Sequence, residues 1–173
     1  MTLSYRHKYT YISGILLVLL VSFNKSYGQT LPPPPVPFTI HTNPAQGLYF
    51  GAFFTGQSGG TIIVYPDGTR STTGDVIQAS LGYSFAPAIF EVEAIQGTRV
   101  GIVNGPDVVL TGSNGGSMTL HIGSSSPGSP FVVNTIPPSR TQVSVGGTLT
   151  VGNILLNPVG SYTGTFSITF VQE

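Results

Sequence analysis

The sequence contains no cysteine and no tryptophan among its 173 residues. Without cysteine the chain forms no disulfide, and it cannot carry the lipid-modified cysteine of a bacterial lipoprotein. It also offers no thiolate ligand to zinc. Sugar-binding sandwiches commonly use exposed aromatic rings, and downstream of residue 28 only four tyrosines remain for that role beside the phenylalanines.

Charged side chains are also scarce, at 7% of the chain. Downstream of residue 28 three arginines oppose six carboxylates, which gives a net charge of minus three with histidine neutral. So few cations cannot build a basic patch, and we therefore expect no nucleic-acid partner. A surface dominated by Thr, Ser, Gly and Asn has little charge to oppose self-association.

Apolar residues nowhere recur at helical spacing over two turns. Instead, short runs of β-branched and aromatic residues return roughly every eight to twelve positions, with Gly and Pro turns between them. This pattern predicts an all-β fold. We expect an immunoglobulin-like or pilin-like antiparallel β-sandwich of about seven to nine strands.

The clearest strand signal is the stretch 160–173, where aromatic and aliphatic residues alternate with Thr and Ser. Period two indicates one face in a core and one face in water. We predict a single long strand at a sheet edge, with Phe166 and Ile168 in the core. Elsewhere, the turn 66–68 follows a strand at 61–65, and Gly146-Gly147 separates two further strands.

The first 28 residues have the features of a signal peptide. Arg6 and Lys8 precede an apolar run at 12–23, and Ser26 and Gly28 occupy the small-residue positions before cleavage. That run is too short to span a bilayer as a helix. We expect an exported protein of the periplasm, outer surface or extracellular space, with no stable membrane span after cleavage. A retained anchor is the alternative interpretation.

Residues 29–45 are predicted to form a proline-rich N-terminal extension, followed by a sandwich domain at 46–173. Five prolines between positions 32 and 37 favour an extended conformation. Val36, Phe38 and Ile40 fall at strand spacing, and proline is tolerated at sheet edges. These three residues could form an edge strand, within the chain or added to a second subunit. The alternative is a disordered tether.

Two motifs suggest catalysis at first sight. The stretch 56–60 matches the G-x-S-x-G elbow around Ser58, but that motif needs a following helix, and a β-branched strand follows here. Glu91 and Glu93 have a spacing compatible with a glycosidase pair, yet they share one strand face instead of flanking a cleft. We interpret the first as a Gly-rich hairpin and the second as a solvated strand face, and we predict no enzyme activity.

No metal or cofactor site is predicted. His41 and His121 are far apart in sequence, and the chain has no calcium-loop motif. Asp67, Asp75 and Asp107 each stand beside glycine or proline and are interpreted as turn residues.

Several stretches together resemble the exported bacterial family catalogued as domain of unknown function 4402. They are 46–51 (QGLYFG), 60–68 (GTIIVYPDG), Arg70-Ser71, Thr73-Gly74, 145–151 (VGGTLTV) and 158–166 (PVGSYTGTF). The family brings no catalytic residues. It resembles, more distantly, spore-coat U and chaperone–usher pilus subunits, which implies a sandwich completed by a strand from a neighbouring subunit.

We therefore expect a non-enzymatic structural or assembly protein of the cell surface, pilin-like, whose partner is itself or a related subunit. The alternative is an adhesin or carbohydrate-binding module, for which Tyr65 and Tyr83 are the candidate ligand contacts.

Overall fold

The computed structural model describes residues 38–42 and 46–173. The predicted signal peptide, residues 29–37 of the extension with Val36, and the link 43–45 lie outside this description. Within it, the chain forms thirteen strands and no α-helix, so the prediction of an all-β antiparallel sandwich is confirmed. The strands are β1 (Thr39–Thr42), β2 (Tyr49–Phe50), β3 (Phe53–Val64), β4 (Arg70–Gln78), β5 (Phe85–Ala86), β6 (Ala88–Glu93), β7 (Arg99–Asn104), β8 (Val108–Gly112), β9 (Ser117–Ser126), β10 (Phe131–Val132), β11 (Thr141–Val151), β12 (Tyr162–Thr163) and β13 (Ile168–Gln172).

The number of strands exceeds the predicted seven to nine because four of the thirteen are two-residue segments. Such short pairings have no periodicity of their own to reveal them. At Gly146-Gly147 the prediction counts one strand too many. Two strands were predicted there, but a single strand, β11, continues through both glycines.

The large sheet is organised around β11. One edge of β11 pairs with β9, and the other edge pairs first with β6 and then with β3. The change of partner falls at Gly146 and Gly147, where the pairing with β9 also shifts register. A Cβ atom at Gly146 would collide with the Val64 carbonyl, and one at Gly147 with Leu48. Because Val64 meets it with backbone, glycine is required at position 146, at the point where three strands meet β11.

From this centre the large sheet extends outward in three directions, to β1 through β6, to β4 through β3, and to β12 through β9 and β8. A smaller sheet has the order β10-β7-β13. Inward-facing residues of both sheets form one core cluster. Its largest fully buried side chains are Ile62, Val64, Val92, Val100, Ile122, Val133, Val143 and Val145.

Arg70 joins the two-stranded β2–β5 pair to β4. Its Nη1 donates to the carbonyl oxygens of Phe50 and Ala52, at 2.7 and 3.3 Å, and its guanidinium lies 4.3 Å from the ring centroid of Phe85. Partial burial lowers the pKa of this arginine. Two backbone carbonyls and an aromatic face thus take the place of a carboxylate partner.

The final stretch is not the single long strand that its alternation predicts. Its first part, β12, pairs with β8 in the large sheet, whereas β13 pairs with β7 in the small sheet. Gly164 packs against Leu110, where a Cβ would collide, and the chain crosses between the sheets over 164–167. Phe166 and Ile168 do pack against the core, but only half-buried. The prediction that the last strand lies at a sheet edge is confirmed.

Candidate functional site at the edge of the sandwich

The N-terminal strand β1 lies at one end of the large sheet and pairs antiparallel with β6. Ile40 stands opposite Val92, and Thr42 stands opposite Phe90. Phe38 and Ile40 are half-buried and pack against the core, whereas Thr39 is exposed. Two of the three residues singled out for strand addition therefore contribute apolar side chains to this chain's own sandwich.

The outer face of β1 and β6 carries an ionic network. His41 Nε2 lies 3.2 Å from Glu93 Oε2. Arg140 donates from Nη1 to Glu91 at 2.9 Å and from Nε to Glu93 at 3.3 Å. These hydrogen bonds, first to Glu91 and then to Glu93, raise the pKa of Arg140. Glu91 and Glu93 thus lie on the solvated face, as predicted, and one guanidinium binds both carboxylates.

A shallow hollow of about 270 Å³ lies beside this network. Its wall is polar except for one aliphatic side chain. The lining residues are His41, Thr42, Gln46, Ile89, Glu91 and Arg140. Because its charges are already paired with one another, the hollow offers hydrogen-bonding groups and little net field.

The two sheets meet at this edge through an aromatic contact. The rings of Phe90, on β6, and Phe170, on β13, have centroids 5.5 Å apart and are tilted by 58°. Both side chains are half-buried, as are Ile40 and Ile168. This side of the sandwich is therefore less well covered than the interior around β11.

The candidate ligand contacts Tyr65 and Tyr83 belong to different parts of the fold. Tyr65 follows β3, is 40% exposed, and its hydroxyl lies 3.1 Å from the Ser71 hydroxyl. Tyr83 lies between β4 and β5 and is 72% exposed. Of the two, Tyr83 presents the more accessible ring.

Ser58 lies inside β3 and not in the hairpin turn that its glycines suggested. Between Thr55 and Gly60 the pairing with β4 shifts register, so that the stretch 56–59 bulges out. The Ser58 backbone N–H donates to Asp75 Oδ2 at 3.0 Å. The turn prediction for Asp75 is wrong, because this residue lies within β4 and anchors the bulge of β3. A strand follows Ser58 instead of the helix that a nucleophile elbow requires.

The remaining acidic turn residues differ in their roles. Asp67 accepts hydrogen bonds from the Thr69 hydroxyl and backbone N–H, and these bonds lower its pKa. The turn prediction for Asp67 is confirmed by this geometry. Asp107 instead binds His121, with 2.7 Å between Oδ1 and Nδ1. Sequence separation hid this exposed pair, which forms because β8 and β9 are neighbours. No group of three metal-ligating side chains occurs in the part of the chain that the structure describes.

The loop 152–161, between β11 and β12, exposes apolar side chains that the sequence did not predict. Ile154, Leu155, Leu156 and Val159 are all more than half exposed. The loop is held by buried Asn157, whose Nδ2 donates to the Ser117 carbonyl and whose Oδ1 accepts from the Gly152 N–H. The apolar run at 154–156 is visible in the sequence, but it does not reveal that these side chains are exposed, because exposure in a loop follows no periodicity.

Comparison with protein families matches residues 39–171 to the domain of unknown function DUF4402. This chain belongs to that family. The match begins at β1, so the family's domain includes the N-terminal strand, and it ends within β13. No curated protein and no solved structure matches the DUF4402 chain. Among the residues described, no helix has the length and apolar character needed to cross a membrane.

Proposed function

We propose that this DUF4402 protein is an exported, non-enzymatic structural subunit of the cell surface, which assembles with copies of itself or with a related subunit. The observation that carries the proposal is β1: a four-residue edge strand, the first strand in the part of the chain that the structure describes, whose Phe38 and Ile40 pack against the core. A strand of this kind can be exchanged between subunits.

The exchange of β1 has a small energetic cost. A second copy offers the same β6 edge, so the pairs of Thr39 with Glu93 and Ile40 with Val92 form equally well within a chain or between chains. The bond between His41 and Glu93 is also reproduced. If each subunit gives its strand to the next, the contact is heterologous and generates an open chain of subunits. The low charge of the surface favours such assembly.

Because the chain lacks cysteine, introduced thiols test this proposal directly. Thr39→Cys with Glu93→Cys places two thiols at directly opposed positions. Under mild oxidation on intact cells, exchange should give a ladder of covalent oligomers that collapses on reduction. Closure within each chain would give only monomers and would overturn the proposal. Thr39→Cys alone is the matched control and should form no ladder.

A second pair of variants tests the apolar face of β1. Phe38→Asp with Ile40→Asp places two carboxylates against the core and should abolish assembly. Thr39→Asn, on the exposed face of the same strand, adds no charge opposite Glu93 and should leave assembly intact. If both variants assembled like the unmodified protein, β1 would not be the connecting strand.

A second candidate function is an adhesin or carbohydrate-binding module. The exposed ring of Tyr83 favours it, since sugar rings stack on accessible aromatic faces. A glycan array decides this point: reproducible binding that is lost in Tyr83→Ala and retained in Phe38→Asp/Ile40→Asp would favour the module.

A further inference from the structure

The backbone of β13 has an open side. Within residues 38–42 and 46–173, β13 pairs only with β7. The Ser167 carbonyl accepts from Gly105, and the Glu173 N–H donates to Arg99, so odd-numbered residues direct their hydrogen-bonding groups toward β7. Since direction alternates along a strand, Ile168, Phe170 and Gln172 direct theirs away from β7. These three residues form the open edge of β13.

The other strand edges in the part of the chain that the structure describes are shorter, or they carry charge or irregular backbone. β10 and β12 have two residues each, and β1 has four. β4 is longer, but it carries the charged residues Arg70 and Asp75, and Gly74 lies in the left-handed region. Charges and irregular backbone protect an edge from further pairing. β13 has five regular residues without charge, proline or bulge.

The occupant of this edge must supply backbone N–H groups as well as carbonyls. The stretch 31–37 of this chain, or of a neighbour, is a poor donor because only two of its seven residues are not proline. β1 already pairs with β6 through all four of its residues. A second β13, in contrast, presents the same alternating donors and acceptors and is complementary to itself when antiparallel.

We propose that two copies of this protein pair through their β13 edges across a twofold axis at Phe170. Ile168 then stands opposite the second copy's Gln172, and each such pair exchanges both backbone hydrogen bonds. The two three-stranded sheets become one continuous sheet. Glu173 falls opposite Ser167 and keeps its 2.7 Å bond to Arg99, so like charges do not oppose each other across the axis.

This isologous contact is separate from the exchange of β1, and each can exist without the other. Exchange joins subunits head to tail, whereas pairing at β13 closes after two copies. The two proposals therefore fail separately: β1 variants change the ladder of oligomers, and β13 variants change the dimer.

A charge exchange tests the proposed register. Thr169 and Val171 are outward-facing, exposed, and opposed to each other across the axis. Thr169→Lys with Val171→Lys places two pairs of like charges at the contact and should weaken the dimer by about tenfold or more in sedimentation equilibrium. Thr169→Lys with Val171→Glu places opposite charges there and should restore the dimer.

The second variant is the matched control for folding, since it changes the same two positions. Both variants should unfold at similar temperatures when dilute. A dimer insensitive to the two lysines, or a protein monomeric at all concentrations, would overturn the proposal.

Introduced thiols give an independent test. Positions 169 and 171 form a non-hydrogen-bonded pair across the axis, the closer type of antiparallel pair, with Cα atoms about 4.5 Å apart. Thr169→Cys with Val171→Cys should therefore give a covalent dimer on oxidation, with no higher ladder. Thr169→Cys alone should crosslink far less. Equal crosslinking by the single and double variants would overturn the register, as would a double variant that stays monomeric.

Discussion

β11 and β13 have the same alternating pattern in the sequence and opposite situations in the fold. β11 is paired along both edges, and Val143, Val145 and Leu149 are buried completely or almost so. β13 is paired along one edge, and its inward residues Ile168 and Phe170 are half-buried. The aromatic final stretch gave the stronger strand signal, yet the plainer β11 forms the centre of the molecule.

The difference shows that periodicity identifies the face of a strand and not its depth. Period two follows from the pleat, which is identical in central and edge strands. Depth depends on how many strands lie on either side, and these come from distant parts of the chain. The contrast between β11 and β13 can be tested by substitutions of decreasing expected effect.

The largest effect is expected in β11. Leu149→Ala removes a side chain that is 2% exposed and leaves a cavity that the surrounding strands fill only in part. We expect a loss of about 3 kcal/mol in the free energy of unfolding, measured by urea denaturation. A loss below about 1 kcal/mol would mean that β11 is not the centre of the core.

A smaller effect is expected for the inward face of β13. Ile168→Ala should cost about 1 to 2 kcal/mol, because water already reaches part of the side chain and the edge can adjust. The same urea titration provides the comparison. If Ile168→Ala cost as much as Leu149→Ala, the supposed difference in depth between the two strands would be wrong.

Substitutions on the outward face of the final stretch should hardly change the free energy of unfolding. Ser167 is exposed, and its bond to Gly105 uses the backbone carbonyl, which Ser167→Ala retains. We expect a change under about 0.5 kcal/mol in unfolding free energy. An effect equal to that of Ile168→Ala would reverse the assignment of faces.

The turn at Asp67 is remote from both strands in sequence. Its contribution to the melting temperature should depend on pH, unlike the contributions of the apolar residues above. Hydrogen bonds from Thr69 lower the pKa of Asp67 in the folded state below its ordinary 3.8. The stabilisation is therefore present above that value and is lost as pH falls through the lowered pKa. The melting temperature of Asp67→Ala should lie below that of the unmodified protein at neutral pH and converge with it in acid. Asp67→Asn, which keeps an acceptor, should show a smaller gap. If the difference in melting temperature persisted in acid, the stabilisation would not come from the ionised Asp67 carboxylate.

Local chemistry was predictable from the sequence, whereas partners were not. The turn at Asp67 and the outward Glu91 and Glu93 follow from neighbouring residues. The contact of Arg140 with those carboxylates joins residues almost fifty positions apart, and it exists because β6 pairs with β11. Strand order, which decides such contacts, leaves no mark in a single sequence.

The same reason explains the two errors at glycine. Gly146-Gly147 and the stretch 56–60 look like turns because glycine is frequent in turns. In the fold they lie within β11 and β3, and a Cβ atom at Gly59, Gly60 or Gly146 would collide with the backbone of a neighbouring strand. Composition alone cannot distinguish a turn from a crowded crossing of strands.

The central position of β11 also sets the order in which the protein can fold. β3 pairs with β11, which lies more than eighty residues further along the chain. β6 and β9 pair with the same strand and therefore also depend on β11. Contacts of such long range make folding slow, because loop closure comes before any compensating gain. A ribosome must synthesise the chain through residue 151 before the core can close. Until then the nascent chain lacks its organising strand, and the strands already synthesised keep unpaired backbone edges.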